Sequence, residues 1–423
     1  MIIHVVKQGE SVYAISRLYG VSAASIIADN ELADPDRITV GQTLVINEGI
    51  RRHIVSIGQT LSIIAAYYGA GMGDILAANP QITNANLIYP GQVILIPPKG
   101  RILGTIEVNG YALPGTDISI LEKTFPYLTY LAIFSYNVNA DGSLIPINDT
   151  PYIQAARNAG VAPVMVITNR GFNSDVASAM LYNNAAQDAL ISNVIQVLSS
   201  KGYYGLDIDF EYVYPSDRVV FNNFLRKIAS AVKGLGYSIS SALAPKLSEK
   251  QTGLQYGAHD YPVHGQIMDY TVIMTYEWGW LYGAPMAVAP INEVRKVINY
   301  AAATIPRQKI LMGIPNYGYD WTLPFIRGVP AEVMTSVGAV QRAIDMNANI
   351  QYDPIAQSPY FTYYDGYGKQ HIVWFEDARS IMAKLLLVNE YGLRGISYWT
   401  VGIYFPQNWL VLKGMYNIKK LNL

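Results

Sequence analysis

From residue 102 onward, short and nearly continuous apolar runs alternate with longer stretches whose apolar positions return every three to four residues. That alternation is the pattern of buried parallel strands joined by helices. The runs predict strands over Leu103–Val108, Tyr130–Tyr136, Pro163–Thr168, Gly205–Glu211, Ser238–Ala244, Tyr270–Thr275, Ile310–Ile314 and Gly395–Trp399. The periodic stretches predict helices such as Val176–Ser199 and Asp217–Lys233. Eight such units predict an α/β chain folded as a (β/α)8 TIM barrel, in which functional groups gather at the strands' C-terminal ends. The interval from Tyr319 to Glu376 exceeds one helix. Its later part, Ile350 to Tyr352, Tyr360 to Tyr364 and His371 to Phe375, alternates as antiparallel strands do around a Gly366-Tyr367-Gly368 turn. A small insertion at about 320–375, between strands seven and eight, is expected.

The first hundred residues follow another order, an internal repeat. A shift of 49 places superimposes His4 on His53, Gly9 on Gly58, Ser11 on Thr60, Ile15 on Ile64, Tyr19-Gly20 on Tyr68-Gly69, Ile26 on Ile75 and Asn30 on Asn79. After one inserted residue, Ile38, Gly41-Gln42, Leu44 and Ile46 fall on Ile88, Gly91-Gln92, Ile94 and Ile96. Each unit predicts a strand, a helix capped by Ser11 or Thr60, a second helix and a closing strand. The boundaries expected are 1–48 and 51–97 for the two modules, 98–101 for a linker and 102–423 for the barrel. The linker lies in Ile96-Pro97-Pro98-Lys99-Gly100, where prolines make a short extended spacer. Units so joined are expected to fold independently, so that removing residues 1–98 leaves the barrel intact.

One strand stands out chemically. In Gly202-Tyr203-Tyr204-Gly205-Leu206-Asp207-Ile208-Asp209-Phe210-Glu211-Tyr212, acids and apolar residues alternate, so Asp207, Asp209 and Glu211 share one face and Leu206, Ile208 and Phe210 the other. Acids stacked about 7 Å apart are costly unless one keeps a proton or a cation binds them. A hard cation is one possible use of three carboxylates. No further cluster of Asp, Asn or His lies nearby, and a Glu at the end of a barrel strand is placed to serve as an acid.

This segment resembles the signature of glycoside hydrolase family 18, Asp-Gly-x-Asp-x-Asp-x-Glu, which that family carries on barrel strand four. Gly205, Asp207, Asp209 and Glu211 match it, while Tyr204 stands in place of the first Asp. Met274-Thr275-Tyr276-Glu277-Trp278 resembles the family's Met-x-Tyr-Asp after strand six, with Glu277 for the Asp. The family's third-strand Ser-x-Gly-Gly is absent, and Val166-Ile167-Thr168-Asn169-Arg170-Gly171 occupies its place. The resemblance implies Glu211 as general acid, no attacking protein carboxylate, and a substrate acetamido oxygen as nucleophile. Asp209 and Tyr276 would orient that group, and Asp207 would share a proton with Asp209. Trp399 would floor the sugar being cut, and Glu277, Trp278, Asn316 and Tyr317 would contact substrate.

The repeated modules resemble LysM, a βααβ unit that holds N-acetylglucosamine-containing glycans. The resemblance implies grooves lined by Gly9, Glu10, Ser11, Asn30, Glu31 and Leu32 in the first, and by Gly58, Gln59, Thr60, Asn79, Pro80 and Gln81 in the second. Several of these Gly and Asn positions also suit plain turns and caps. Two linked weak sites would gain through effective concentration.

Composition narrows the partners. Apolar residues make up 51% of the 423 and charged ones 14%, which provides a large core and argues against disorder. A formal charge of −1 gives no case for nucleic acid or an anionic membrane. The 33 Tyr suit sugar stacking or simple core filling. Cysteine is absent, so there is neither disulfide nor thiolate metal site. His259 and His264, five apart around Pro262, are poorly spaced for zinc and are expected behind the substrate contacts. No metal and no cofactor are expected, and a monomer is. The apolar run after Met1 is too short for a signal peptide, and no stretch reaches the roughly 18 apolar residues of a membrane span.

Taken whole, tandem LysM modules before such a barrel resemble the spore peptidoglycan hydrolases of endospore-forming bacteria. That resemblance implies an N-acetylglucosaminidase acting on cortex fragments during germination, located on the spore or its wall. A chitinase would share every catalytic residue. A non-catalytic sugar-binding barrel would be expected to lack the terminal Glu.

Overall fold

Alternation along the strands decides which side chains fill the barrel and which face its helices. The structure, a computed structural model, describes residues 1–47, 49, 51–97 and 102–423, so the expected linker at 98–101 lies outside the described residues. Among the described residues, eight parallel strands close on themselves: β1 (Gly104–Ala112), β2 (Tyr130–Val138), β3 (Ala162–Asn169), β4 (Gly205–Ile208), β5 (Ser238–Leu243), β6 (Tyr270–Ile273), β7 (Ile310–Pro315) and β8 (Gly395–Trp399). Each pairs with the next, and β8 returns to β1. On β3, Val164 and Val166 join Tyr111, Tyr130, Ala242 and Tyr270 inside the barrel. Met165 and Ile167 face outward into the layer packed against the helices. Strand β4 follows the same rule: Leu206 and Ile208, with Phe210 beyond, lie in the outer layer, and the acids turn inward.

Several elements differ in length from those expected: β1 runs on to Ala112 and β6 stops at Ile273. Strand β4 ends at Ile208, so Asp209 and Glu211 stand just past the ladder, although Asp209 N still donates to Ile167 O at 2.9 Å. The single helix expected over 176–199 is two, Ser174–Leu181 and Asn184–Lys201. The break comes at Asn183, whose side chain accepts from Ala185 N and Ala186 N and so starts a new helix. The helix expected over 217–233 forms as Arg218–Gly234.

The insertion is a five-stranded antiparallel sheet in the order Glu332–Thr335, Tyr317–Thr322, Gln370–Trp374, Ser358–Tyr364, Gln351–Asp353. It begins at Tyr317, earlier than the sequence indicated, because only Asn316 separates its first strand from β7. The helix Ser336–Asp345 covers one face, with Ala339, Ala343, Phe361 and Val373 buried between.

Each N-terminal module is a two-stranded antiparallel sheet with two helices. Ile2–Val5 pairs with Thr43–Ile46 in the first, and Arg51–Ile54 with Val93–Ile96 in the second. Ser11 and Thr60 cap the first helices, accepting from Ala14 N and Ile63 N. The first module packs directly against the rest of the chain. Val45 is part of the barrel's own hydrophobic core, and Thr39 and Val40 bond to the insertion.

Candidate functional site

At the C-terminal mouth of the barrel the three acids occupy successive depths. Asp207 is the deepest at 2% exposure, with Oδ2 accepting from Tyr111 OH and Oδ1 from Ser240 Oγ, both at 2.7 Å. Burial raises its pKa even against those two bonds. Asp209 is 4% exposed and its Oδ1 has no hydrogen-bond partner. Burial, then the neighbouring Glu211 and Asp207, holds its carboxyl well above the usual carboxylate range. Glu211, last in the row, is pushed up to about 7 by burial and by the charge of Glu277. Near neutral pH the site therefore holds an acid with a proton to give, beside a carboxyl with a free oxygen.

Glu211 is fixed through its backbone. Asn169, at the end of β3, accepts from Glu211 N at 3.0 Å and donates to Glu211 O at 2.9 Å, a two-bond clamp on a single residue. From the other side His259 Nε2 lies 3.1 Å from Phe210 O, and Ala244 N donates to His259 Nδ1 at 2.9 Å, tying the ends of β4 and β5 together. The imidazole that accepts at Nδ1 and donates at Nε2 is neutral, in keeping with a pKa lowered to about 4 by burial. His264, 2.8 Å from Ser241 Oγ and likewise lowered to about 3 by burial, packs beside it. Both histidines stand behind the cleft. Among the described residues no group of three or more His, Asp and Glu is arranged to hold a metal ion.

The cleft above the acids has a volume of about 580 Å³, and Asp209, Glu211, Tyr276 and Trp399 line it together with Glu277, Trp278 and Tyr317. Tyr276 lies against Gly313, where a Cβ would sit 2.8 Å from its ring, so glycine is required for this approach. Burial and the nearby Asp209 hold the Tyr276 phenol far above its ordinary range, leaving it a hydrogen-bond donor. Trp399 is braced edge-on by Phe134 at 4.9 Å and Tyr111 at 5.5 Å between ring centroids. Glu277 accepts from Tyr317 OH, and from Tyr319 OH at 3.0 Å, so two tyrosines of the insertion hold its carboxylate at the rim.

Asn316 is not where a substrate contact would be. It is fully buried, its N donates to Trp399 O at 3.2 Å and its Nδ2 to Thr400 O at 3.3 Å, so it anchors the backbone of the floor and leaves the cleft to others. Tyr204, in place of the first motif Asp, packs on Tyr130 at 6.0 Å and joins the aromatic layer inside the barrel. The partners of the acids that sequence reasoning missed are Tyr111, Ser240 and Asn169. Each lies on another strand, and only its register with β4 inside a closed barrel reveals it.

In the modules the asparagines also prove internal. Asn30 Nδ2 donates to Ile26 O and Val45 O at 2.9 Å, and its Oδ1 accepts from Val45 N. Asn79 repeats this with Ile75 O, Leu95 O and Leu95 N. Both tie the second helix to the closing strand from buried positions. Glu10 and Gln59 likewise shape their loops, each accepting from a backbone N–H, Lys7 or Ser56, and lying 2.8 Å from His4 or His53. Gly9 and Gly58 turn those loops with φ of 79° and 82°. Gly58, Thr60 and Gln81 of module two stand exposed at the rim, as do Gly9 and Ser11 of module one, while Leu32 faces a cavity shared with the insertion.

The comparisons with known proteins agree with this geometry. Residues 117–403 match the model for glycosyl hydrolases family 18, and residues 4–47 and 53–97 each match the LysM domain. The chain is 40% identical over 432 residues to the cortical fragment-lytic enzyme of Bacillus subtilis (strain 168), covering 99% of both, and 39% identical to that of Bacillus anthracis, covering 98% of both. It superimposes on the crystal structure of the Bacillus megaterium QM B1551 spore cortex-lytic enzyme SleL with a TM-score of 0.87 at 36% identity, covering 99% of each chain. With the closed barrel, the inward acids of β4 and matches along nearly the whole length, this chain belongs to glycosyl hydrolases family 18 and carries two LysM domains.

Proposed function

We propose that the enzyme is a retaining, substrate-assisted N-acetylglucosaminidase that cuts β-1,4 bonds after N-acetylglucosamine in peptidoglycan, acting on spore cortex fragments during germination. The relatives' names, cortical fragment-lytic and spore cortex-lytic enzyme, support the substrate and its location. The observation that carries the mechanism is the buried Asp209 carboxyl, with Oδ1 unpartnered, lining the same cleft as Glu211. Glu211 protonates the glycosidic oxygen as the bond to the anomeric carbon breaks. The substrate's acetamido oxygen closes on that carbon from the opposite face, while Tyr276 donates to that oxygen and Asp209, sharing its proton with Asp207, accepts from the acetamido N–H as it gains positive charge. Water then opens the oxazolinium on the first face and returns its proton to Glu211. This is the substrate-assisted exception among retaining glycosidases. Trp399 floors the sugar, and Glu277, Trp278 and Tyr317 meet substrate at the rim.

Two measurements address this reading. Mass spectrometry of cortex digested by the enzyme is expected to find N-acetylglucosamine at the new reducing end, and muramic acid there would reject the bond assignment. Because Glu211 must hold its proton, kcat/KM is expected to fall as pH rises through about 7. Burial is the main cause of that raised value and the Glu277 charge adds to it. Glu277→Gln removes the charge, so the alkaline limb is expected to move to lower pH, and an unmoved limb would separate Glu277 from the acid.

A further inference from the structure

The two LysM modules are built alike but meet the rest of the chain differently. In module one, Gly41 has φ +87° and a Cβ there would lie 1.8 Å from Ile350 O; its counterpart Gly91, at φ +86°, has nothing within 4 Å. Around Gly41, Ile350 N donates to Val40 O at 2.9 Å, Thr39 Oγ1 to Ala348 O at 2.9 Å, and Arg379 Nη2 to Gly41 O at 3.2 Å. Thr39 is buried, whereas the matching position, Tyr89, stands 59% exposed.

The contact also reaches one side of the lip that the LysM resemblance assigns to glycan, at Leu32, while Gly9, Ser11 and Glu31 stay exposed. Glu31 pairs with Lys123 at 3.2 Å, and Leu32 faces Val340, Ile344 and Phe405 across a cavity of about 80 Å³. Ligand pockets run from roughly 300 Å³ upward, so a saccharide does not fit between Leu32 and the insertion. The segment that module one grips, Ala348–Ile350 beside the helix Ser336–Asp345, belongs to the insertion whose first strand carries Tyr317 and Tyr319 to Glu277.

We propose that module one is a fixed brace between the barrel and the cleft-walling insertion, and that retention on insoluble glycan falls to module two alone. Gly41→Ala and Gly91→Ala impose the same left-handed backbone strain and differ in the contact. Gly41→Ala is expected to lower the temperature of the main unfolding transition and to slow turnover of soluble fragments several-fold, with Gly91→Ala leaving turnover unchanged. Equal effects of the two on turnover and on that transition would overturn the brace. Should Gly41→Ala fail to fold, Thr39→Val removes one bond without strain and is expected to lower the same transition, and no change there would overturn it equally. For retention, Gln81→Asp with Ile57→Asp, the latter at a side chain 91% exposed next to Gly58, made in a Glu211→Gln background, is expected to cut binding to insoluble peptidoglycan at least tenfold. Retention within twofold of the parent would assign glycan binding elsewhere. Unfolding and retention are read without reference to the bond cut, so failure here is distinct from failure of the proposed function.

Discussion

Glu211→Gln is expected to keep glycan binding and lower turnover by at least about 100-fold, the usual scale for losing a general acid. The amide has the shape of the protonated carboxyl but no proton to release to a leaving oxygen. Nothing else need move, because Asn169 and His259 hold residues 210 and 211 through backbone atoms that the substitution leaves intact. Steady-state hydrolysis of soluble cortex fragments, with binding measured in parallel, reads the effect. Near-normal hydrolysis would remove Glu211 from the reaction.

Asp209→Asn is expected to cost nearly as much, about 100- to 1,000-fold, the range for losing one preorganised electrostatic partner of a transition-state charge. Tyr111 and Ser240 occupy both oxygens of Asp207, whereas Asp209 Oδ1 is free to meet the charged N–H of the bicyclic intermediate. The change removes an acid whose ionisation burial already opposes, so thermal stability should be kept while turnover collapses. A fall in turnover matched by a fall in stability would point to a structural role. Turnover within a few-fold of the parent would reject the substrate-assisted route.

Much of the catalytic unit was legible because strands buried on both faces write their pattern locally. The alternation through Leu206, Asp207, Ile208, Asp209, Phe210 and Glu211 states which side of the barrel each residue takes, and the structure keeps it. The Tyr111 and Ser240 bonds to Asp207 and the Asn169 clamp on Glu211 were not legible, because each joins residues distant in sequence through the closure of the barrel. The helix break at Asn183 was written in a capping residue, yet the apolar period runs across it. Asn316 was misplaced for a related reason: a polar residue at a strand end can face the cleft or the backbone behind it, and its spacing is the same in both cases. Module one's docking was masked by the repeat. Like sequences predict like units, and the contact depends on Thr39, Val40 and Gly41 meeting a partner some 300 positions away.

The central claim, that the substrate's acetamido group rather than a protein carboxylate attacks the anomeric carbon, requires two displacements at one centre. Proton NMR of the first product formed, recorded before mutarotation, tests it most directly. The β anomer is the predicted result, and appearance of the α anomer first would contradict the mechanism.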